Sequence, residues 1–229
     1  MQEKQAKPEF EFIALMASLM SSVALTIDAL LPALPEIGSY LQVVNTNDNQ
    51  LLITMIFLGL GFGQLIFGPL SDSFGRKPVV YVGFMLFIVA SIICVTTKSF
   101  EIMILGRVLQ GIGLSSPRTM AITIIRDRYS GDYMAKIVSI VVMVFILIPV
   151  VAPAMGQFLL NFYHWKAIFY VNLIIGIVVM IWFARRQRET LKSENKIPFT
   201  WRLFIAGTRE FLKYKKAVSY THLTLPTKA

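Results

Sequence analysis

Three ionisable residues interrupt long apolar stretches of the sequence: Asp28, Arg107 and Arg118. If these stretches cross a membrane, each charge costs roughly 2.5–3.5 kcal/mol at mid-helix, and residues that costly face a partner or a water-filled cavity. A carboxylate that protonation can neutralise, together with a buried guanidinium, provides the chemistry of proton coupling. We therefore predict that Asp28 and Arg107 couple proton movement. Arg118 lies nearer the end of its stretch and is expected to extend towards the membrane surface.

Helical geometry puts Asp28 and Arg107 at similar depths. At about 1.5 Å per residue, Asp28 lies about 24 Å along the first stretch and Arg107 about 10 Å along the fourth, which runs the opposite way. In a hydrocarbon core about 30 Å thick, both charges fall in the half distant from the N-terminus. Our hypothesis is that Asp28 carries the proton and Arg107 is its electrostatic partner. The alternative is a static ion pair that only joins the first and fourth helices.

The composition identifies lipid as the solvent for much of the chain. Of 229 residues, 55% are apolar or aromatic and 15% are charged, against roughly 25% charged residues in soluble domains. So few polar residues cannot cover the surface of a soluble globule of this size. The net charge of +9 lies between the apolar stretches and forms no basic stripe with interleaved aromatics, so no nucleic acid is expected as a partner.

No enzyme or metal chemistry is expected. The single cysteine, Cys94, lies inside an apolar stretch, and His164 and His222 are far apart in the chain. This excludes a disulfide framework within the chain and gives no metal-ligand spacing. The sequence also contains no H-E-x-x-H motif or nucleophile elbow, and His164 has no evident partner. The chain is therefore predicted to be no enzyme and to need no cofactor.

Six stretches are long and apolar enough to span a bilayer, which takes about 20 residues. They are residues 12–35, 51–70, 78–97, 100–125, 137–162 and 167–184. Arg and Lys are enriched in the connections at 71–77 and 126–136 and after residue 184, whereas loop 36–50 has neither. The positive-inside rule then puts both ends of the bundle in the cytoplasm. The fold class predicted is an all-α membrane protein with six transmembrane helices.

Two patterns inside these stretches predict how the helices pack and bend. Gly59 and Gly63 have the G-x-x-x-G spacing that lets helix backbones approach closely in lipid. Pro149 and Pro153 lie in the fifth stretch, where each removes one backbone hydrogen bond and is expected to bend the helix.

The connection between the second and third stretches predicts a charged turn, with its key residues Gly68, Asp72, Gly75, Arg76 and Lys77. Gly75 permits a tight turn, and Asp72 is expected at a helix N-terminus, where the helix dipole favours a negative charge. Arg76 is expected to pair with Asp127 at the end of the fourth stretch. The alternative is a plain helix-capping turn.

This turn resembles the signature G-x-L-x-D-R-x-G-R-K of the major facilitator superfamily, with Ser73 where the family usually has arginine. Further stretches resemble the helix 1 pattern D-x-x-x-P-x-x-P, the helix 4 pattern R-x-x-Q-G-x-G, the helix 5 antiporter signature and the helix 6 opening W-R-x-x-F-x-x-N. The residues that carry these matches are Asp28, Pro32, Pro35, Arg107, Gln110, Gly111, Gly113, Pro149, Ala152 (in place of the usual glycine), Pro153, Gly156, Trp165, Phe169 and Asn172. Together they resemble the Bcr/CflA branch of drug:proton antiporters.

The resemblance implies a transporter of twelve helices in two six-helix halves, each a 3+3 inverted repeat, with the substrate cavity between them. It implies proton-coupled efflux of drug-like small molecules across the bacterial inner membrane, with the proton gradient as energy source. The Arg76–Asp127 pair would latch one conformation, and the helix 5 motif favours antiport. Two alternatives stay open: another major facilitator, such as a metabolite exporter or an uptake symporter, or a non-transporting six-helix membrane module.

Four segments are predicted along the chain. Residues 1–11 form a cytoplasmic N-terminus, residues 12–184 the six-helix bundle, and residues 185–217 a central cytoplasmic loop that is either an interfacial helix or a flexible linker. Residues 218–229 resemble the translated end of a sequencing artefact. Helices 7–12 are not encoded, so the chain is expected to be a fragment that lacks its C-terminal six-helix half.

Overall fold

The computed structural model describes residues 10–191, 194 and 196–197, and all regular structure within them is helical. Two short 3₁₀ turns, Leu31–Ala33 and Thr46–Gln50, flank a short helix. The α-helices are α1 Phe10–Asp28, α2 Leu34–Tyr40, α3 Leu51–Phe74, α4 Arg76–Thr96, α5 Phe100–Arg128, α6 Gly131–Phe162 and α7 Lys166–Arg186. The predicted interfacial helix and the predicted artefact tail lie outside the described residues.

Five of the six predicted spans match one helix each, and the first is divided. Helix α1 ends at Asp28, and the chain then makes a 3₁₀ turn before α2 begins at Leu34. Pro32 and Pro35 each stand in the first turn of the element that follows. Proline lacks an N–H, and the first turn of a helix is where this lack costs no backbone hydrogen bond. Asp28 therefore lies at a helix end beside irregular backbone, and not within a continuous helix as the sequence predicted.

Five of the six long helical stretches in the described part of the chain are long and apolar enough to cross a membrane, and α5 is not among them. At 29 residues, α5 is about 43 Å long and so has the length to span a 30 Å core. Its charged, Ser, Gln and Gly residues lower its hydropathy. The packing explains how these residues are tolerated, because α5 lies in the middle of the bundle.

Helix α5 packs against α3, α4 and α1, and glycines make the closest approaches. A Cβ atom at Gly59 of α3 would overlap the carbonyl oxygen of Val108, and one at Gly63 would overlap Ser115 Oγ. On the α5 side, a Cβ at Gly111 would overlap the carbonyl oxygen of Ile56. The close packing predicted from the G-x-x-x-G spacing is confirmed.

Helix α6 contacts α1 and leaves much of its surface uncovered. Val150 is 74% exposed and Val151 is 62% exposed. Apolar side chains in such numbers on a long membrane helix face lipid or another polypeptide. The helix continues from Gly131 to Phe162 with Pro149 and Pro153 inside it, and the bend predicted at these residues stays a prediction.

Candidate functional site

The Arg107 side chain is completely buried at the centre of the bundle. Its Nε donates to the carbonyl oxygen of Leu52 in α3 at 2.9 Å, and its Nη1 donates to Gln110 Oε1 at 2.8 Å. Gln110 Nε2 donates in turn to Ser91 Oγ of α4 at 2.8 Å. The guanidinium lies 6.0 Å from the ring centroid of Phe169 in α7. Arg107 therefore joins α3, α4, α5 and α7.

The Arg107 charge has no counter-ion within the part of the chain that the structure describes. No carboxylate there forms an ion pair with it, and Nη2 has no hydrogen-bond partner. An unpaired buried charge is costly unless oriented dipoles and rings compensate it. Here the Leu52 carbonyl, the Gln110 amide and the face of Phe169 provide the compensation.

Asp28 does not form the predicted ion pair with Arg107, although α1 and α5 are neighbours. The groups that accept from Arg107 are instead the Leu52 carbonyl, which accepts from Nε, and Gln110, which lies one turn away on the same helix and accepts from Nη1. Asp28 is partly buried, and no hydrogen bond or ion pair joins it to another described residue. The interpretation as a static pair between the two helices is therefore wrong.

The segment of α6 that resembles the antiporter signature packs against the end of α1, where Asp28 is the last residue. A Cβ atom at Gly156 would overlap the carbonyl oxygen of Ala29, the residue after Asp28, and would come 3.1 Å from Pro32 Cγ. Ala152, which replaces the usual glycine of the pattern, is 1% exposed and packs in the same apolar cluster as Ala29. A residue larger than glycine at position 156 would push α6 away from the end of α1. The motif therefore determines how closely α6 approaches the end of α1.

The predicted contact between Arg76 and Asp127 is present at the other end of the bundle. Arg76 Nε donates to Asp127 Oδ2 at 3.1 Å, and Nη1 donates to Asp72 Oδ1 at 2.5 Å and to Ser71 Oγ at 3.0 Å. The Arg76 side chain is 9% exposed, whereas its partner Asp72 is 48% exposed, so the guanidinium is the buried member of this network. One guanidinium thus ties the end of α3, the start of α4 and the end of α5 together.

Glu189 has the helix-capping role that was predicted for Asp72. Asp72 lies in the last turn of α3 and binds the Arg76 side chain. The first backbone N–H groups of α4, those of Arg76 and Lys77, donate instead to Glu189 Oε1 and Oε2, each at 3.0 Å. The expectation that Asp72 caps a helix N-terminus is therefore wrong for α4, where Glu189 complements the positive end of the helix dipole.

Gly75 and Lys77 complete this junction, as the turn motif predicted for Gly75. Gly75 has φ +109°, a backbone conformation that favours glycine, and a Cβ there would lie 2.6 Å from Glu189 Oε2. Lys77 Nζ donates to the carbonyl oxygen of Ala184 in the last turn of α7 at 3.0 Å. At Gly68 a Cβ would meet nothing within 4 Å, so no close contact explains that glycine.

Neither Glu189 nor Thr190 was predicted from the sequence as part of this junction. Thr190 Oγ1 donates to Asp127 Oδ2 at 2.8 Å, the same oxygen that accepts from Arg76. The only signal was an acid directly after the basic run at the end of α7, and no periodicity or motif pointed to its partner 113 positions away.

Two further predictions concern Arg118 and His164. The guanidinium of Arg118 is half-buried and lies 5.5 Å from the ring centroid of Phe145 in α6. Its extension towards the membrane surface stays a prediction. His164 does have a partner, contrary to expectation: its Nε2 lies 3.5 Å from Glu36 Oε1. The same Glu36 oxygen accepts the backbone N–H of Trp165. These contacts tie the segment after α1 to the α6–α7 turn.

The Glu189 cap leads to a stability prediction. Burial by itself raises the pKa of Glu189, but four backbone N–H groups, those of Arg76, Lys77, Thr190 and Leu191, outweigh it and hold the pKa below its ordinary value. A lowered carboxyl pKa stabilises the fold above the unfolded pKa of about 4.3, and this contribution is lost as pH falls through the folded value. Glu189→Gln is therefore expected to lower stability at pH 7 by about 1 kcal/mol or less, since the side chain is partly exposed.

Thermal unfolding followed by tryptophan fluorescence between pH 3 and pH 8 measures this effect. The difference between the unmodified chain and Glu189→Gln should be present at neutral pH and vanish at the acid end. Glu194→Gln is the matched control, since Glu194 is an exposed acid of the same segment. A Glu194→Gln loss of the same size would contradict the assignment of Glu189 as the cap of α4.

A bundle of long apolar helices, with a fully buried, hydrogen-bonded arginine in its central helix and an ion-paired turn at one end, defines a multi-pass membrane protein. A family model described as Major Facilitator Superfamily matches residues 12–225. This chain belongs to the major facilitator superfamily, as the turn motif indicated. Proteins of this superfamily are transporters and not enzymes, in agreement with the absence of catalytic motifs.

Curated relatives and a solved structure agree with this assignment. The chain is 32% identical over 216 residues to the "Bicyclomycin resistance protein homolog" of Haemophilus influenzae, covering 94% of this chain and 54% of the relative. It is 32% identical over 177 residues to the "Multidrug resistance protein MdtL" of Klebsiella pneumoniae, covering 75% of this chain and 44% of the relative. The human organic anion transporter MFSD10 matches in fold with a TM-score of 0.66 at 20% identity, over 86% of this chain and 52% of that one. The chain thus spans about half the length of the proteins it matches.

Proposed function

We propose that this chain forms one half of a proton-coupled drug exporter of the bacterial inner membrane, with its N-terminus in the cytoplasm. The observation that carries the proposal is Asp28, which is partly buried at the end of α1 and forms no ion pair within the described residues. The backbone of the next residue, Ala29, packs against Gly156 of the α6 motif. The printed names of two relatives, bicyclomycin resistance and multidrug resistance, support a drug as the substrate.

Asp28 is suited to exchange a proton because no described partner holds its charge. A carboxyl group at a break between helix and turn can bind a proton when the site faces one side of the membrane and release it towards the other. Hydrogen bonds to Leu52 and Gln110 hold the guanidinium of Arg107 in place, so it does not move with Asp28. In our proposal it acts from within the bundle, as a fixed buried positive charge that favours the ionised carboxylate.

The charged turn between α3 and α4 serves in this proposal as the latch of one conformation. Arg76 joins three helices, and breaking its bonds to Asp72 and Asp127 would free the ends of α3 and α5 to separate. Glu189 and Lys77 extend the latch to the end of α7. Alternating access then requires these contacts to form in one state and open in the other.

The transport cycle further requires a second bundle that encloses the drug site opposite α3 and α6. In the proposal a C-terminal six-helix half supplies it, consistent with the chain's coverage of about half of each relative. The 229-residue chain by itself is therefore expected to bring about no efflux, since alternating access needs two bundles around a shared site.

A drug-susceptibility panel tests the proposal. The complete parent gene is expressed in bacteria that lack their main efflux pumps, and the panel includes bicyclomycin. Resistance to at least one compound should rise and should disappear when an uncoupler collapses the proton gradient. Resistance that persists without the gradient would contradict proton coupling, and drug accumulation that increases on expression would instead indicate an uptake symporter.

A further inference from the structure

A groove runs between the start of α1 and the end of α7, at the basic end of the bundle. It encloses about 610 Å³. Its lining residues are Glu11, Val178, Ile181, Trp182, Arg185 and Arg186. We refer to it as the α1–α7 groove. Neither the latch nor Asp28 contributes to it.

One face of α7 forms an apolar track that leads to the basic end of the groove. Val178, Ile181 and Arg185 are spaced so that they lie above one another on the helix, and Ile174 continues the same face. The exposed fractions of Ile174, Val178 and Ile181 are 60%, 57% and 43%. From Ile174 to Arg185 the helix rises about 16 Å, which is about half of a 30 Å hydrocarbon core and hence the depth of one leaflet.

The polar end of the groove carries one uncompensated positive charge. Glu11 Oε1 accepts from Trp182 Nε1 at 3.1 Å and forms an ion pair with Arg186 Nε at 2.7 Å. In the ion pair the charges of Glu11 and Arg186 compensate each other, and the hydrogen bond fixes the indole of Trp182 at the rim of the groove. Arg185 is exposed, and no ion pair or hydrogen bond joins its side chain to another residue of the described chain.

We propose that the α1–α7 groove binds an anionic phospholipid of the leaflet at the basic end of the bundle. The phosphodiester lies against Arg185, the glycerol region against Trp182, and one acyl chain follows Ile181, Val178 and Ile174. Tryptophan and arginine at this depth suit the headgroup region, and basic pockets between membrane helices bind anionic headgroups. The apolar track favours a lipid over a soluble phosphate, which would use only the polar end. The inference rests on α7 crossing the membrane and not on drug export.

Native mass spectrometry of the detergent-purified chain tests the site. Phosphatidylglycerol is titrated against phosphatidylcholine with matched acyl chains, and retained lipid is counted. Phosphatidylglycerol should be retained preferentially, and Arg185→Gln should weaken its binding about fivefold, the factor for one basic residue near a membrane surface. Arg126→Gln is the matched control, since Arg126 is exposed at the same end of the bundle but does not line the groove; it should change binding little.

A second variant tests the groove itself without changing charge. Val178→Trp fills the apolar track and should reduce phosphatidylglycerol retention at least as much as Arg185→Gln. Equal retention of the two lipids, equal effects of Arg185→Gln and Arg126→Gln, or unchanged binding in Val178→Trp would each overturn the proposal. So would release of the bound lipid by millimolar inorganic phosphate, because the site would then recognise phosphate alone.

Discussion

Asp28→Asn is expected to abolish proton-coupled drug efflux by the complete parent transporter while leaving the protein folded and in the membrane. Asparagine has nearly the shape of aspartate but cannot bind and release a proton at physiological pH. Because Asp28 makes no hydrogen bond or ion pair within the described residues, the substitution breaks no described contact. The expected loss therefore concerns transport and not stability.

Everted membrane vesicles provide the measurement. A fluorescent pH indicator reports proton movement when drug is added, and a drug accumulation assay reports transport. Both signals should fall to background in Asp28→Asn, with unchanged protein level. Asp132→Asn is the control, since Asp132 is an exposed acid in the first turn of α6 and should leave both signals intact. Persistent drug-driven proton movement in Asp28→Asn would sink the assignment of Asp28 as the proton carrier.

Gly59→Leu is expected to prevent normal packing of α3 on α5. A Cβ at this position overlaps the carbonyl oxygen of Val108 and comes 3.0 Å from the backbone nitrogen of Ile112, and backbone atoms of a helix cannot move aside individually. The two helices must separate, at a cost of about 3 kcal/mol or more. Separation of the two helices would also break the hydrogen bond from Arg107 Nε to the Leu52 carbonyl. The buried guanidinium would then have one partner fewer.

Gly61→Leu is a control only two positions away on the same helix. A Cβ at Gly61 meets nothing within 4 Å, so leucine there should change stability by about 0.5 kcal/mol or less. Cys94, the one cysteine in the sequence, is fully buried. Its thiol should react with a fluorogenic maleimide only when heating unfolds the bundle, so the reaction reports unfolding. In Gly59→Leu the Cys94 thiol should become reactive at a much lower temperature than in Gly61→Leu. Similar melting temperatures for the two variants would contradict the close α3–α5 contact.

Close packing and polar bonding depend on different residues of the central helix. Gly111 allows α3 to approach α5, whereas Arg107 and Gln110 hold polar groups away from lipid. These residues lie close together on one helix. Their polarity makes α5 less apolar than the other long helices, although α5 is extensively buried. A hydropathy criterion alone misses such a helix, since its polar residues face protein on several sides.

The amino-acid sequence by itself determined the helices, the superfamily and one long-range contact. Stretches of about 20 apolar residues form helices in lipid because no other structure satisfies their backbone hydrogen bonds. The turn motif indicated the superfamily, and the pair of Arg76 with Asp127 followed from two opposite charges at the same end of neighbouring helices. The glycine spacing in α3 predicted close packing because an absent side chain has the same effect in any helix.

Only the tertiary structure decided which partners the polar side chains find. Arg107 bonds to Leu52 and Gln110 and not to Asp28, and Glu189 caps α4 in place of Asp72. The physical reason is rotation: a helix that is apolar on nearly all faces does not reveal which face meets which neighbour, and a rotation of 100° per residue moves a charge from one neighbour to the next. The path of the segment after α7, which brings Glu189 to a helix 113 positions earlier, has no periodic pattern and is determined by the bonds it forms.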